Sequence, residues 1–198
     1  MGYDMYTVQE ADAEEKTAVE TALAATRALP NPFALTEGSD EYTAAKKAYD
    51  EAWAAYDAAQ KSYFRLNIWG MSIARDLMNT VGMLTDEPMP EFPDMDNYGL
   101  DEYPDEDSEN LTSAERDYLI AQRGALSHEP PIVSGIPVYK LCSNEGWLVT
   151  EAQCAVALSK WNAAPNEVRV AVEMKAEWWP SWITFLGHSK DRGGFRVH

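Results

Sequence analysis

The stretch DEYTAAKKAYDEAWAAYDAAQKSYFRL, residues 40–66, carries tyrosine at every seventh position: Tyr42, Tyr49, Tyr56 and Tyr63. Ala45, Ala52, Ala59 and Leu66 each follow a tyrosine by three residues. A 3-4-3-4 spacing of large and small apolar residues is a heptad seam, and it predicts one long helix over 39–66, capped by Ser39 or Asp40. Upstream, 12–29 is Ala/Glu-rich, with Val19, Ala22, Leu23, Thr26 and Leu29 at helical spacing. Pro30 and Pro32 stop that segment. The short loop between the two predicts an antiparallel helical hairpin, with tyrosine rings over alanines. Such a seam belongs in a core. Its alternative use is a surface for a second chain, by self-assembly or by a partner helix.

Downstream, Asn67-Ile68-Trp69-Gly70 interrupts the helix, and Met71, Ala74, Leu77, Met78 and Val81 mark one face of another that ends near Gly82. Thr112-Ser113-Ala114-Glu115 and Thr150-Glu151-Ala152-Gln153 are capping boxes. The first opens a helix to about Leu126. The second opens one with Cys154, Ala157, Leu158 and Trp161 on one face. A further helix from Asn166 is broken or kinked at Pro180. Residues 138–141, 146–149 and 194–197 read as a small C-terminal antiparallel sheet, with residues 3–8 as a candidate edge strand. The expectation is a single α+β domain over 1–198, mainly helical.

Residues 86–110 differ in composition. Eleven Asp and Glu, no Lys or Arg, and Pro88, Pro90, Pro93 and Pro104 fall here. Proline and like-charge repulsion oppose regular structure, so the segment reads as an acidic arm or long loop. It belongs to a wider asymmetry. Residues 1–113 hold 24 acidic and 7 basic residues, and 114–198 hold 9 of each, so the net charge of −17 lies wholly in the first part. That balance opposes direct binding of nucleic acid or an anionic membrane and favours a basic protein partner. The expected contact residues are Asp94, Asp96, Asp101, Glu102, Asp105, Glu106 and Asp107.

Metal and catalytic signatures are weak. Residues 94–105 place carboxylates at positions 1, 3, 9 and 12 of a calcium-loop frame and Gly99 at position 6. Tyr98 at position 5 and the flanking Pro93 and Pro104 break the pattern, which leaves a solvated acidic loop. Cys142, Cys154, His188 and His198 lack zinc spacing, so no metal or cofactor is expected. No nucleophile elbow, phosphate loop or HExxH motif occurs. His128 beside Glu129 is an acid/base candidate without a companion nucleophile. Trp178, Trp179, Trp182 and Phe185 form a dense aromatic group suited to anchoring a terminal helix in the core, with ligand binding or base stacking as its alternative use. The opening Met1-Gly2-Tyr3-Asp4 has no basic segment followed by an apolar run, so no secretory leader is expected.

Three segments carry a resemblance: Tyr63-Phe64-Arg65-Leu66-Asn67-Ile68-Trp69-Gly70-Met71, Asn144-Glu145-Gly146-Trp147-Leu148-Val149-Thr150 and Gly193-Gly194-Phe195-Arg196-Val197-His198. With the opening Met1-Gly2-Tyr3-Asp4-Met5, they resemble a family of uncharacterised proteins of actinobacteria and their phages. The resemblance implies a bacterial cytoplasm, including that of a host during phage infection. It implies no activity. It marks Asn67, Trp69, Asn144, Gly146, Trp147 and the C-terminal segment as defining the fold or a shared site. The expected function is therefore that of a non-enzymatic acidic interaction protein, a phage or prophage accessory factor that engages a nucleic-acid-binding host protein. The alternatives are a small-molecule enzyme with a pocket beside Asn67, Trp69, Asn144 and Trp147, and a structural component that self-assembles through the Tyr/Ala seam.

Overall fold

The computed structural model describes residues 2–198. A four-stranded antiparallel sheet is built from β1 (Gly2–Thr7), β2 (Tyr63–Asn67), β5 (Trp147–Val149) and β6 (Phe195–Val197), in the order β2-β1-β6-β5. Residues 3–8 were expected at an edge. Instead, β1 is an inner strand, bonded on one side to β2 and on the other to β6. Its alternation explains the choice: Tyr3, Met5 and Thr7 are buried, while Asp4 and Tyr6 point away. Gly194 sets the entry to β6. Its φ is +86°, and a Cβ there would run into the Val149 carbonyl, so only glycine lets the chain cross the end of β5.

The helices α3 (Ile68–Thr80) and α7 (Trp179–Lys190) pack on the sheet, and α5 (Glu151–Ala163) and α6 (Asn166–Glu173) pack on α7. On α3 the buried residues are Met71, Ala74, Leu77 and Met78, and Asn67 caps it by accepting from the Gly70 amide at 2.7 Å. On α5 the Thr150 capping box is formed, and Cys154, Ala157 and Trp161 are buried. The chain breaks between α6 and α7, and Pro180 then sits in the first turn of α7, where a missing N–H costs no helical bond. Trp179, Trp182, Phe185 and Phe195 are packed together at the centre. Trp161 meets Trp179 edge-on at 5.4 Å. The tryptophan group therefore anchors the terminal helix.

The hairpin exists, but not as the seam implied. The helix α1 (Ala13–Ala28) packs on α2 (Asp40–Ala59), and α2 ends seven residues earlier than expected. Gln60 caps it, and Tyr63 enters β2 opposite Tyr6. The seven-residue interval from Tyr56 to Tyr63 spans a turn and a change of element. Strand pairing with β1 satisfies the backbone of residues 63–67, and alternation puts Leu66 into the core. No residue of α2 is buried, and the core cluster draws on neither hairpin helix. Tyr42, Tyr49 and Tyr56 are half-buried against α1, while Phe33 at the turn is 72% exposed. Core tyrosines would lose about 3–5 kcal/mol on truncation. Here Tyr56 keeps an edge contact with Trp53 at 5.3 Å and a bond from Gln60 Nε2 at 2.6 Å. Tyr56→Ala is expected to cost only about 1–2 kcal/mol in urea denaturation.

What ties the hairpin to the body is a buried charge. Glu15 in the first turn of α1 is 2% exposed. Its carboxylate accepts from the Ser62 amide at 2.6 Å and hydroxyl at 2.8 Å, and from Arg192 beyond α7. Arg192 also pairs with Asp12, the cap of α1, at 3.3 Å.

A second correction concerns residues 138–141, expected as a strand. Val138–Leu141 is a 3-10 turn. The strand lies just before it: β4 (Ile136–Pro137) pairs in parallel with β3 (Leu84–Thr85) as a separate two-stranded sheet. Proline fits there because so short an edge leaves its absent N–H unneeded. No helix among the described residues is long and apolar enough to cross a membrane.

Candidate interaction surface

Pairing of Leu84 with Ile136 means that the chain leaves the body and returns at one place. Between these points lie the acidic segment, α4 (Ser113–Leu126) and a Pro-rich connector that carries Pro130 and Pro131. On α4, opened by the Thr112 capping box, Tyr118, Leu119 and Leu126 are buried outside the main core cluster. They form a second, smaller apolar layer that the acidic segment covers.

The segment is laid down as a strap. Phe92 meets Trp147 edge-on at 5.4 Å, and Tyr98 and Tyr103 both meet Tyr118, at 5.6 and 5.9 Å. Pro104 is buried. The Tyr103 hydroxyl donates to Gln122 Oε1 at 2.7 Å and lies 3.1 Å from Glu106. Burial, and then the Glu106 carboxylate, raise this phenol above its ordinary value, while the Gln122 bond works against them. Phe92, Tyr98 and Tyr103 thus each set a ring against the body, although Phe92 stays 37% and Tyr103 51% exposed, and the carboxylates are left outside. Asp94, Asp96, Asp101, Glu102, Asp105, Glu106 and Asp107 are all exposed. Of these, only Glu106 has a cation beside it among the described residues, Arg123 at 3.5 Å.

Residues 94–105 do not fold as a calcium loop. Met95–Tyr98 is a 3-10 turn, and Asp94 caps it by accepting from the Asp96 amide at 3.1 Å. Asp105 does the same for the Asp107 amide. Among the described residues no three of His, Cys, Asp and Glu converge as a metal-binding group.

The four residues suggested as a pocket have other roles. Asn67 caps α3. Asn144 Nδ2 donates to the Gly2 carbonyl at 2.5 Å, and Gly2 pairs with Asn67 in the sheet, so both asparagines meet at the start of β1. Trp147 is fully buried under Phe92 and Tyr139, with its Nε1 donating to Ser143. Trp69 is 79% exposed. None of the four lines either of the two cavities at the hairpin base. Of the His128–Glu129 pair, the Glu129 carboxylate accepts from the Thr150 hydroxyl, whereas His128 is engaged through its backbone carbonyl, which accepts from Lys140 Nζ at 2.6 Å.

Lys140 carries no local sequence signal. It is fully buried and spends its three protons on the His128 and Leu148 carbonyls, each at 2.6 Å, and on Gln153 Oε1 at 3.1 Å. Nothing in Val138-Tyr139-Lys140-Leu141 separates it from a lysine on an exposed strand. No protein-family model, curated protein or solved structure matches the chain.

Proposed function

We propose that this protein is a non-enzymatic interaction protein whose acidic strap binds a basic, nucleic-acid-binding protein in a bacterial cytoplasm, as a phage or prophage accessory factor. The observation behind this reading is the way the strap is held: Phe92, Tyr98 and Tyr103 pin it to Trp147 and α4, while its carboxylates stay exposed and almost without cations. A fixed array of carboxylates costs less entropy to engage than a mobile arm. It attracts a lysine- and arginine-rich surface in the way a phosphate backbone does.

The test is affinity capture from an actinobacterial lysate by the wild type and by a variant carrying Asp101→Asn, Glu102→Gln, Asp105→Asn and Asp107→Asn. None of these four side chains anchors the strap through an aromatic contact. The wild type is expected to retain basic proteins at about 0.1 M salt and release them near 1 M, where the screening length falls to about 3 Å. The variant should bind the same proteins at least about tenfold more weakly, and duplex DNA should compete. Equal capture by both proteins, or capture indifferent to salt and DNA, would remove the strap from the reading.

A further inference from the structure

A cavity of about 390 Å³ opens between the end of α2, β2 and α7. That volume suits a small molecule. Phe64, Phe185 and Trp178 give it an aromatic wall. Phe64 and Phe185 are stacked at 5.6 Å with their planes 26° apart. Around this wall stand Asp57, Lys61 and His188.

Most polar groups at the hairpin base already have partners. Glu15, Arg192, Ser62 and Asp12 are joined to one another. Tyr63 donates to Asp4 at 2.5 Å, and Arg65 lies 3.5 Å from the same carboxylate. Thr184 donates to the Pro180 carbonyl, and Gln60 to Tyr56. Asp57, Lys61 and His188 differ: among the described residues none of their side chains makes a hydrogen bond or an ion pair, and Asp57 and Lys61 do not pair with each other. A carboxylate and an ammonium therefore border one aromatic cavity, and neither is held in an ion pair.

We propose that this cavity binds a small zwitterion with an aromatic body, of the class of the aromatic α-amino acids. The ring lies on the Phe64/Phe185 wall, the ligand's ammonium faces Asp57, and its carboxylate faces Lys61. An anion alone leaves Asp57 opposed, and a cation alone leaves Lys61 opposed, so the two unpaired charges select a ligand that carries both. Burial raises the Asp57 carboxyl above its ordinary value, and an ammonium seated beside it would lower it again.

The 198-residue chain is titrated calorimetrically with three probes: L-phenylalanine, 3-phenylpropionate, which lacks the amine, and 2-phenylethylamine, which lacks the carboxylate. L-Phenylalanine is expected to bind at one saturable site, and each analogue at least about tenfold more weakly, because one of the two cavity-lining charges is then unmet. Asp57→Asn should reduce L-phenylalanine to the level of 3-phenylpropionate, and Lys61→Met to that of 2-phenylethylamine. Absence of saturable binding of L-phenylalanine at millimolar concentration overturns the proposal. So does equal binding of the three probes by the wild type, a comparison that depends on no variant. Unchanged L-phenylalanine binding in both substituted proteins moves the ligand out of this cavity and overturns it as well.

Discussion

Replacing Arg192 with methionine is expected to cost about 3–5 kcal/mol of folding stability at neutral pH, because it leaves the Glu15 carboxylate buried without its cation. Glu15 lies at the junction of the hairpin and the body, where only Ser62 would remain to solvate it. The pH dependence gives a check that lost packing alone would not reproduce. Burial pushes the Glu15 carboxyl up, and Arg192 and the two Ser62 donors more than reverse this, so it is held below its ordinary 4.5. A carboxyl lowered in the folded state contributes stability that is present above about pH 4.5 and lost as the pH falls through the folded value. In Arg192→Met the opposing cation is gone, burial dominates, and the carboxyl moves upward. The difference between the two proteins should therefore shrink on acidification, as Glu15 becomes neutral in both. Urea denaturation of wild type and variant at pH 7 and at about pH 4 measures it. Glu15→Gln in the Arg192→Met background should recover part of the loss, since an amide is less costly to bury than an unpaired carboxylate.

This junction also shows where the sequence stops being legible. Local signals carried well. Both capping boxes, the apolar face of Met71, Ala74, Leu77 and Met78, and the break before Pro180 depend on residues within a turn of one another, and each is found in the fold. Glu15 and Arg192 stand 177 positions apart, and no local pattern marks either as buried. Misreadings arose where one spacing serves two structures. Tyr63 sits at the next heptad position after Tyr56, yet Tyr63-Phe64-Arg65-Leu66 is also an acceptable strand, and pairing with β1 decides it. Val138 to Leu141 has strand-like composition but turns, because the pairing is made two residues earlier. In the acidic segment composition gave the charge and the irregular backbone. It could not give the strap, because that depends on Tyr118 and Trp147, which present an apolar surface only once α4 and β5 have formed.

The other large effect is expected at Lys140, which holds together the Pro-rich connector, β5 and α5. Lys140→Met keeps the length of the stem and removes the ammonium, which strands the His128 and Leu148 carbonyls and leaves Gln153 Oε1 with one donor in place of two. Each stranded buried acceptor costs about 1–3 kcal/mol where water cannot reach it, so the variant should lose about 3–5 kcal/mol at pH 7. The Gln153 side chain is exposed to a second loss. Its Oε1 also accepts from the Thr150 amide at 3.1 Å, while its buried Nε2 has no partner, so it depends on Lys140 to stay oriented. Burial lowers the lysine from 10.5 to about 8, and Arg196 adds to this, while Glu129 and Glu87 oppose it. A lysine lowered in the folded state binds fewer protons there than in the unfolded chain between about pH 8 and 10.5. Its contribution to stability therefore rises with pH across that window. At about 1.4 kcal/mol per pH unit, the gap between wild type and Lys140→Met should widen by up to about 2 kcal/mol from pH 8 to about pH 10. The neutral amine keeps only two protons for three acceptors, which sets the upper limit on that gain. A gap that stays flat or narrows across this range would mean that the ammonium is paired, or wetted, in a way this geometry does not contain.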